Sequence, residues 1–187
     1  MQRFNRCSGY ETFCYLPDFS GLSISNNGNA FAKLALDSGC AFAIIDEIQY
    51  AVEGDQRYIL VDDCLQTMQQ LANYHRRQLG TRVIGITGTN GKTTTKELIS
   101  SVLCQNHNVL YTLGNLNNHI GVPTTLLRLK PEHDLAVIEM GANHPGEIKF
   151  LCEIAEPDYE EVNLDTQRSA KGKANIKNVT QSSPLTF

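Results

Sequence analysis

The segment Arg82-Val83-Ile84-Gly85-Ile86-Thr87 followed by Gly88-Thr89-Asn90-Gly91-Lys92-Thr93-Thr94 constrains the chain more than any other. An apolar run of strand length leads into a glycine turn, and the turn leads into a helical pattern. This is the context a phosphate-binding loop requires. Glycines let the backbone turn tightly and approach an anion without a Cβ in the way. Loop N–H groups and a helix N-terminus then favour phosphate. On this reading Gly88, Thr89, Asn90, Gly91, Lys92, Thr93 and Thr94 form an ATP-binding loop. Lys92 supplies a point charge to the β- and γ-phosphates and is the catalytic candidate. The Thr93 hydroxyl is placed for Mg²⁺. The general pattern G-x-x-x-x-G-K-[ST] is not met, because Ile86 stands where its first glycine would be. The match is to the variant G-T-N-G-K-T-T.

A loop of this kind implies an α/β fold, and the rest of the chain agrees. Apolar runs at Ala41–Ile45, Tyr58–Val61, Val109–Thr112 and Leu135–Met140 have strand length. Helical spacing is predicted over Asn29–Gly39, with Ala30, Phe31, Leu34 and Ala35 on one face. It is predicted again over Cys64–Leu79, stopped by Gly80, and over Lys92–Leu103, with Leu98, Ile99, Val102 and Leu103 inward. Two shorter helices are expected, one with Pro123 in its first turn and one over Pro145–Ala155. Strands alternating with helices imply parallel βαβ units. Three regions follow: residues 1–80 as a small N-terminal α/β domain, 81–159 as an incomplete phosphate-loop-type parallel-sheet domain, and 160–187 as an irregular tail. The tail is rich in Asn, Ser, Thr, Lys and Gln and lacks an apolar period.

In a sheet of this class, ligands gather beyond the carboxyl ends of the strands. Glu139 ends the run L-A-V-I-E and would share that edge with Gly88, so it is a candidate Mg²⁺ carboxylate. The turn Gly114-Asn115-Leu116-Asn117-Asn118-His119-Ile120-Gly121 opens on the same edge. Asn115, Asn117 and Asn118 could bind a polar substrate through their amides, or could hold their own turn through side chain–backbone bonds. His144, in Gly141-Ala142-Asn143-His144, is a further substrate-contact candidate; a lone loop histidine is more often structural.

Composition excludes other classes. A formal net charge of -4 gives no global basic field for nucleic acid. No apolar run approaches the roughly 20 residues that span a bilayer. Met1 to Tyr10 has no apolar signal-peptide core. A cytoplasmic location without membrane insertion is expected, as is a monomer. The six cysteines are scattered without close pairs, so reduced thiols are expected.

Three blocks together resemble the Mur ligase family: G-I-T-G-T-N-G-K-T-T-T-K-E-L at Gly85–Leu98, T-L-G-N-L-N-N-H-I-G-V-P-T-T-L-L at Thr112–Leu127, and A-V-I-E-M-G-A-N-H-P-G-E-I at Ala136–Ile148. The first block occurs across the superfamily. The second and third resemble the branch that adds D-alanyl-D-alanine. The stretch N-G-N-A-F-A-K-L-A-L-D-S-G-C-A-F-A-I-I-D resembles the family's N-terminal UDP-binding domain. The resemblance implies ATP and Mg²⁺ as cofactors, with UDP-MurNAc-tripeptide and D-Ala-D-Ala as small-molecule substrates. The tripeptide carboxylate would be phosphorylated and the acyl phosphate attacked by the dipeptide amine. Thr93 and Glu139 would hold Mg²⁺, and Asn117 and Asn118 would line the substrate side. The family's metal histidine, carbamylated lysine, adenine contacts and uridine-site elements have no match here, and neither Lys171 nor Lys173 is given the carbamate role. A truncated or frame-disturbed copy is therefore expected. A nucleotide-binding remnant without activity, or another amide ligase of the superfamily, are the alternatives.

Overall fold

A computed structural model describes residues 27–163. Expectations for residues 1–26 and 164–187, Cys7, Cys14, Lys171 and Lys173 among them, lie outside the described residues. By internal contacts the chain divides into two compact units, Met1–Leu71 and Ala72–Phe187.

In the first unit a 3₁₀ turn, Gly28–Phe31, leads into helix α1 (Ala32–Asp37). Asn27 caps the turn by accepting from the Asn29 N–H. Strands β1 (Ala43–Ile45) and β2 (Tyr58–Leu60) pair in parallel, Ala43 opposite Tyr58. A small core joins Ala32, Leu36, Cys40, Ala43 and Ile45. The expected apolar face of α1 is thereby corrected. Ala32 and Leu36 are buried, whereas Leu34 is 60% exposed. The 3₁₀ opening turns fewer residues per revolution than an α-helix, so a single 3.6-residue period drawn from Asn29 drifts out of phase. Cys40 is disulfide-bonded, which corrects the expectation of reduced thiols at that position. Distance along the chain does not report distance in space. Cys64, Cys104 and Cys152 are free.

Helix α2 (Cys64–Leu79) has the expected bounds and ends at Gly80, whose φ of 64° suits a helix stop. In the second unit, strand β3 (Arg82–Gly88), helix α3 (Lys92–Leu103), strand β4 (Val109–Tyr111), helix α4 (Gly121–Leu126), strand β5 (Leu135–Glu139), helix α5 (Glu147–Ala155) and strand β6 (Tyr159–Asn163) follow in order. The four strands form one parallel sheet in the order β4-β5-β3-β6. Connections leave β3 and return on both of its sides, which sets its carboxyl end at a switch point of the sheet. Among the described residues no helix is long and apolar enough to cross a membrane.

Strand β6 corrects the expectation of an irregular tail from residue 160. Tyr-Glu-Glu-Val-Asn has no apolar run, yet Ile84 to Gly88 pair with Tyr159 to Asn163. The partner strand supplies what the local pattern lacks. Asp158 fixes the entry: its carboxylate accepts from the buried Val83 N–H at 2.7 Å and from Arg76 at 2.9 Å.

One core cluster gathers Ala72, Val83, Leu110, Leu126, Ile138 and Leu151 with their neighbours, and contains no residue of α3. Strand residues of opposite parity, Ile86 and Val137, are also fully buried, and α3 lies against β3, β4 and β5. The helix meets the sheet with a polar stripe. Lys96 and Ser100 are buried, while Leu98 and Val102 are 64% and 70% exposed. The expected inward face Leu98, Ile99, Val102 and Leu103 is therefore wrong for Leu98 and Val102. The rotation of α3 is set at its start, where Gly91, at φ 74°, delivers Thr93 and Lys96 toward the sheet edge.

Candidate functional site

The site is built at the carboxyl edge from the ends of β3, β4 and β5. Gly91 takes a left-handed conformation as the residue preceding α3, and its carbonyl accepts from the Thr95 N–H at 2.8 Å. Lys92 Nζ donates to the Gly88 carbonyl at 3.0 Å, across the candidate phosphate loop. Thr93, one residue on, donates its hydroxyl to Glu139 Oε1 at 3.2 Å.

Glu139 is 1% exposed. Burying a carboxylate is costly unless charge and hydrogen bonds compensate it. Here Oε1 accepts from Thr93 and from Asn117 Nδ2 at 2.9 Å. The backbone is held as firmly. Thr112, fully buried just past β4, accepts the Glu139 N–H on its hydroxyl at 2.9 Å and donates its own N–H to Val137 O. The other carboxylate oxygen, Oε2, is buried without a hydrogen-bond donor. The Lys96 ammonium stands 3.8 Å from it.

The Asn-rich loop is locked to the segment after Glu139. The Gly141 N–H donates to the Asn117 carbonyl at 2.7 Å, and a Cβ at position 141 would lie 2.9 Å from Asn117 Cγ. Position 121 must be glycine for a similar reason: a Cβ there would lie 2.3 Å from the Leu116 carbonyl carbon.

Of the residues singled out in the sequence, the structure brings Thr93, Asn117 and Glu139 into direct contact, with Gly88 and Lys92 on the same edge. Asn118 does something else. Its Oδ1 accepts from the Ile120 and Gly121 N–H groups, so it caps the turn into α4. Asn115 is exposed, and its carbonyl accepts from Asn117 N. The His144 side chain is 78% exposed and its Nδ1 lies 3.1 Å from Glu147 Oε1. Glu147 also accepts from the Asn143 and His144 N–H groups, and these bonds hold its carboxyl down to about 2. Lys96 is not among the residues to which the sequence motifs point. A Lys-Glu pair inside a helix reads as solvated charge; its one signal was the spacing from Lys92 and Thr93, four and three residues, which places all three on one stripe.

The donor set suits a hard divalent cation. Glu139 Oε2 is an unpartnered buried oxygen, and the Thr93 hydroxyl adjoins the same carboxylate. Among the described residues no group of three or more His, Cys, Asp or Glu could hold a metal. A cation here would rest on few protein oxygens together with phosphate and water, which is the habit of Mg²⁺.

Residues 86–163, which hold Lys92, Thr93, Asn117 and Glu139, match the Mur ligase middle domain. Over that segment the chain belongs to the Mur ligase family. It is 45% identical over 132 residues to the UDP-N-acetylmuramoyl-tripeptide–D-alanyl-D-alanine ligase of Bacillus subtilis, a match covering 71% of this chain and 29% of the relative. The ligase of the same name from Escherichia coli is 49% identical over 109 residues, 58% of this chain and 24% of the relative. Among solved structures, the D-alanyl-D-alanyl ligase of Acinetobacter baumannii superposes with a TM-score of 0.64 at 39% identity, covering 71% of this chain and 29% of that one. The MurF ligase of Thermotoga maritima in complex with ADP gives 0.60 at 34% identity, covering 68% and 29%. The chain thus spans under a third of the length of these Mur ligase relatives. The match to the middle domain runs through Asn163, so residues 160–163 belong to it.

Proposed function

We propose that this Mur ligase segment handles ATP in the reaction that joins D-Ala-D-Ala to UDP-MurNAc-tripeptide through an acyl phosphate. One observation carries the reading: Thr93, Asn117 and Glu139, one residue from each of the three sequence blocks, meet on a single buried carboxylate beside the phosphate loop. The named activity of the relatives and the ADP complex of one of them support it.

In this scheme the loop Gly88 to Thr94 wraps the phosphates. Lys92 exchanges the Gly88 carbonyl for a phosphate oxygen and stabilises the charge of the transferring phosphoryl group. Glu139 and Thr93 hold Mg²⁺, which neutralises phosphate charge when bound. Asn117 orients Glu139 through Oε1. Asn115 and His144, exposed at the same loops, are the residues free to meet the substrate. Residues 1–80 are assigned to the UDP-substrate side by their resemblance to the family's N-terminal domain.

The test is ATP binding by the native chain and by Lys92→Ala, with Mg²⁺ present. Removing a charge-assisted phosphate contact of about 1.5–3 kcal/mol should weaken binding by roughly ten- to a hundredfold. Equal binding by both forms would refute the phosphate-loop assignment. Adding UDP-MurNAc-tripeptide and D-Ala-D-Ala to the same mixture separates a working ligase, which releases ADP with amide product, from a nucleotide binder that does not.

A further inference from the structure

Lys96 is fully buried and has no role in the scheme above. Its ammonium has three neighbours: Glu97 Oε1 at 2.9 Å, the Gly114 carbonyl at 3.4 Å and Glu139 Oε2 at 3.8 Å. The first is a half-exposed neighbour on α3, the second opens the Asn-rich loop, and the third is the buried oxygen that lacks a donor. A buried lysine is retained only where its charge is compensated. Glu139 faces the reciprocal problem, because its own hydrogen bonds all fall on Oε1.

We propose that Lys96 is the resident counter-ion of Glu139, a positioning residue that a divalent cation displaces from Oε2. The inference rests on the assignment of Glu139 as a metal carboxylate. Without the cation, Lys96 balances the buried carboxylate and keeps Oε2 in place. With the cation on Oε2, like charges separate, and the ammonium retains Glu97 and the Gly114 carbonyl as partners. Lys96 would then report the state of the metal position to the loop that carries Asn117, since Gly114 lies three residues before it.

The geometry dictates a sign. A unit positive charge about 4 Å from a cation's ligand opposes binding of that cation. Replacing Lys96 by methionine, which is similar in length and uncharged, removes the opposition. Thermal denaturation is followed against Mg²⁺ alone, without nucleotide, for the native chain, Lys96→Met, Glu139→Gln and the double variant. Lys96→Met is expected to melt lower than native without Mg²⁺, and to be stabilised at a Mg²⁺ concentration about tenfold lower or less. Glu139→Gln and the double variant should show no such response. A Mg²⁺ response of Lys96→Met equal to or weaker than native overturns the proposal, as does a response that persists in the double variant. If Lys96→Met does not fold, a folded double variant supports the charge pairing, and failure of both shows that Lys96 acts by packing alone. The readout is independent of Lys92, so loss of the ATP-binding reading would not be mistaken for loss of this one.

Discussion

Gly141→Ala tests the contact between the Asn-rich loop and the buried Glu139 carboxylate directly. Gly141 is not among the residues at positive φ, so alanine meets no backbone strain there and the cost is steric. The new Cβ would lie 2.9 Å from Asn117 Cγ, 3.0 Å from Nδ2 and 3.1 Å from Oδ1. Ordinary contact begins at 3.4 Å, so the amide must retreat by about half an ångström. It cannot retreat freely, because Nδ2 donates to Glu139 Oε1 at 2.9 Å and the loop backbone is tied to Gly141 N at 2.7 Å. The bond most at risk is therefore the one to the buried carboxylate. Hydrogen bonds to charged groups are worth about 1.5–3 kcal/mol, and loss of this one leaves Glu139 less compensated. We expect Gly141→Ala to lower stability by about 1.5–3 kcal/mol in urea denaturation, with the slope of the transition unchanged. The decisive measurement is a double-mutant cycle with Asn117→Ala. Truncating Asn117 removes both the clash and the bond, so Gly141→Ala should cost little in that background. The coupling should exceed about 1 kcal/mol. Additivity to within roughly 0.5 kcal/mol would refute the claim that position 141 acts through the Asn117 amide.

Thr112→Val removes the hydroxyl that accepts the buried Glu139 N–H while conserving shape, and should cost about 1–3 kcal/mol of stability by denaturant titration. An effect below about 0.5 kcal/mol would mean that the Glu139 backbone finds another acceptor. Asp158→Ala leaves the Val83 N–H unpaired at the entry to β6 and should likewise cost about 1–3 kcal/mol. Faster amide exchange at Val83 should accompany it, and unchanged exchange would count against Asp158 as the clamp. For Glu147 the sign follows from its depressed pKa, about 2 in the folded chain against 4.5 as the ordinary value. Its stabilisation is fully present above pH about 4.5 and is lost as pH falls toward 2. The melting-temperature gap between the native chain and Glu147→Gln should close over that window, and a gap independent of pH would contradict the assignment.

Much of the fold was legible because glycines punctuate it. Helix α2 stops at Gly80 and α3 follows Gly91, both at positive φ, so the helix bounds read from the sequence match the structure. The carboxyl-edge grouping of Gly88, Asn117 and Glu139 was legible for a topological reason. In a parallel sheet every strand-to-helix loop opens on one edge, whatever the strand order. What failed was whatever tertiary structure decides alone. Strand β6 carries Glu160 and Glu161 and has no apolar signature, since an edge strand can draw its stability from one ladder with β3. Asn118 and Asn117 are adjacent and chemically identical, yet one caps a turn and the other binds Glu139. Only backbone direction separates them. Lys96 offers only its spacing from Lys92 and Thr93, because burial of a charge has no local pattern of its own.

The facing of α3 links these failures to the proposed chemistry. Turning Leu98 and Val102 toward the sheet would bury more apolar surface, worth about 25 cal/mol for each Å². The chain instead buries Lys96 and Ser100, and the Ser100 hydroxyl has no hydrogen-bond partner. A helix that forgoes its apolar face is held by something other than core packing. Here the constraint is at its first turn: Lys92 must reach the phosphate loop and Thr93 must reach Glu139, and both are set by the left-handed Gly91. Once these positions are fixed, every residue of α3 follows at 100° per step, and Lys96 arrives beside Glu139 by the same rotation. Local rules of sequence are broken most sharply where function imposes the geometry. On that argument the polar inner stripe of α3 is a consequence of the proposed nucleotide site, and a relaxed helix with Leu98 turned inward would have to release Thr93 from Glu139.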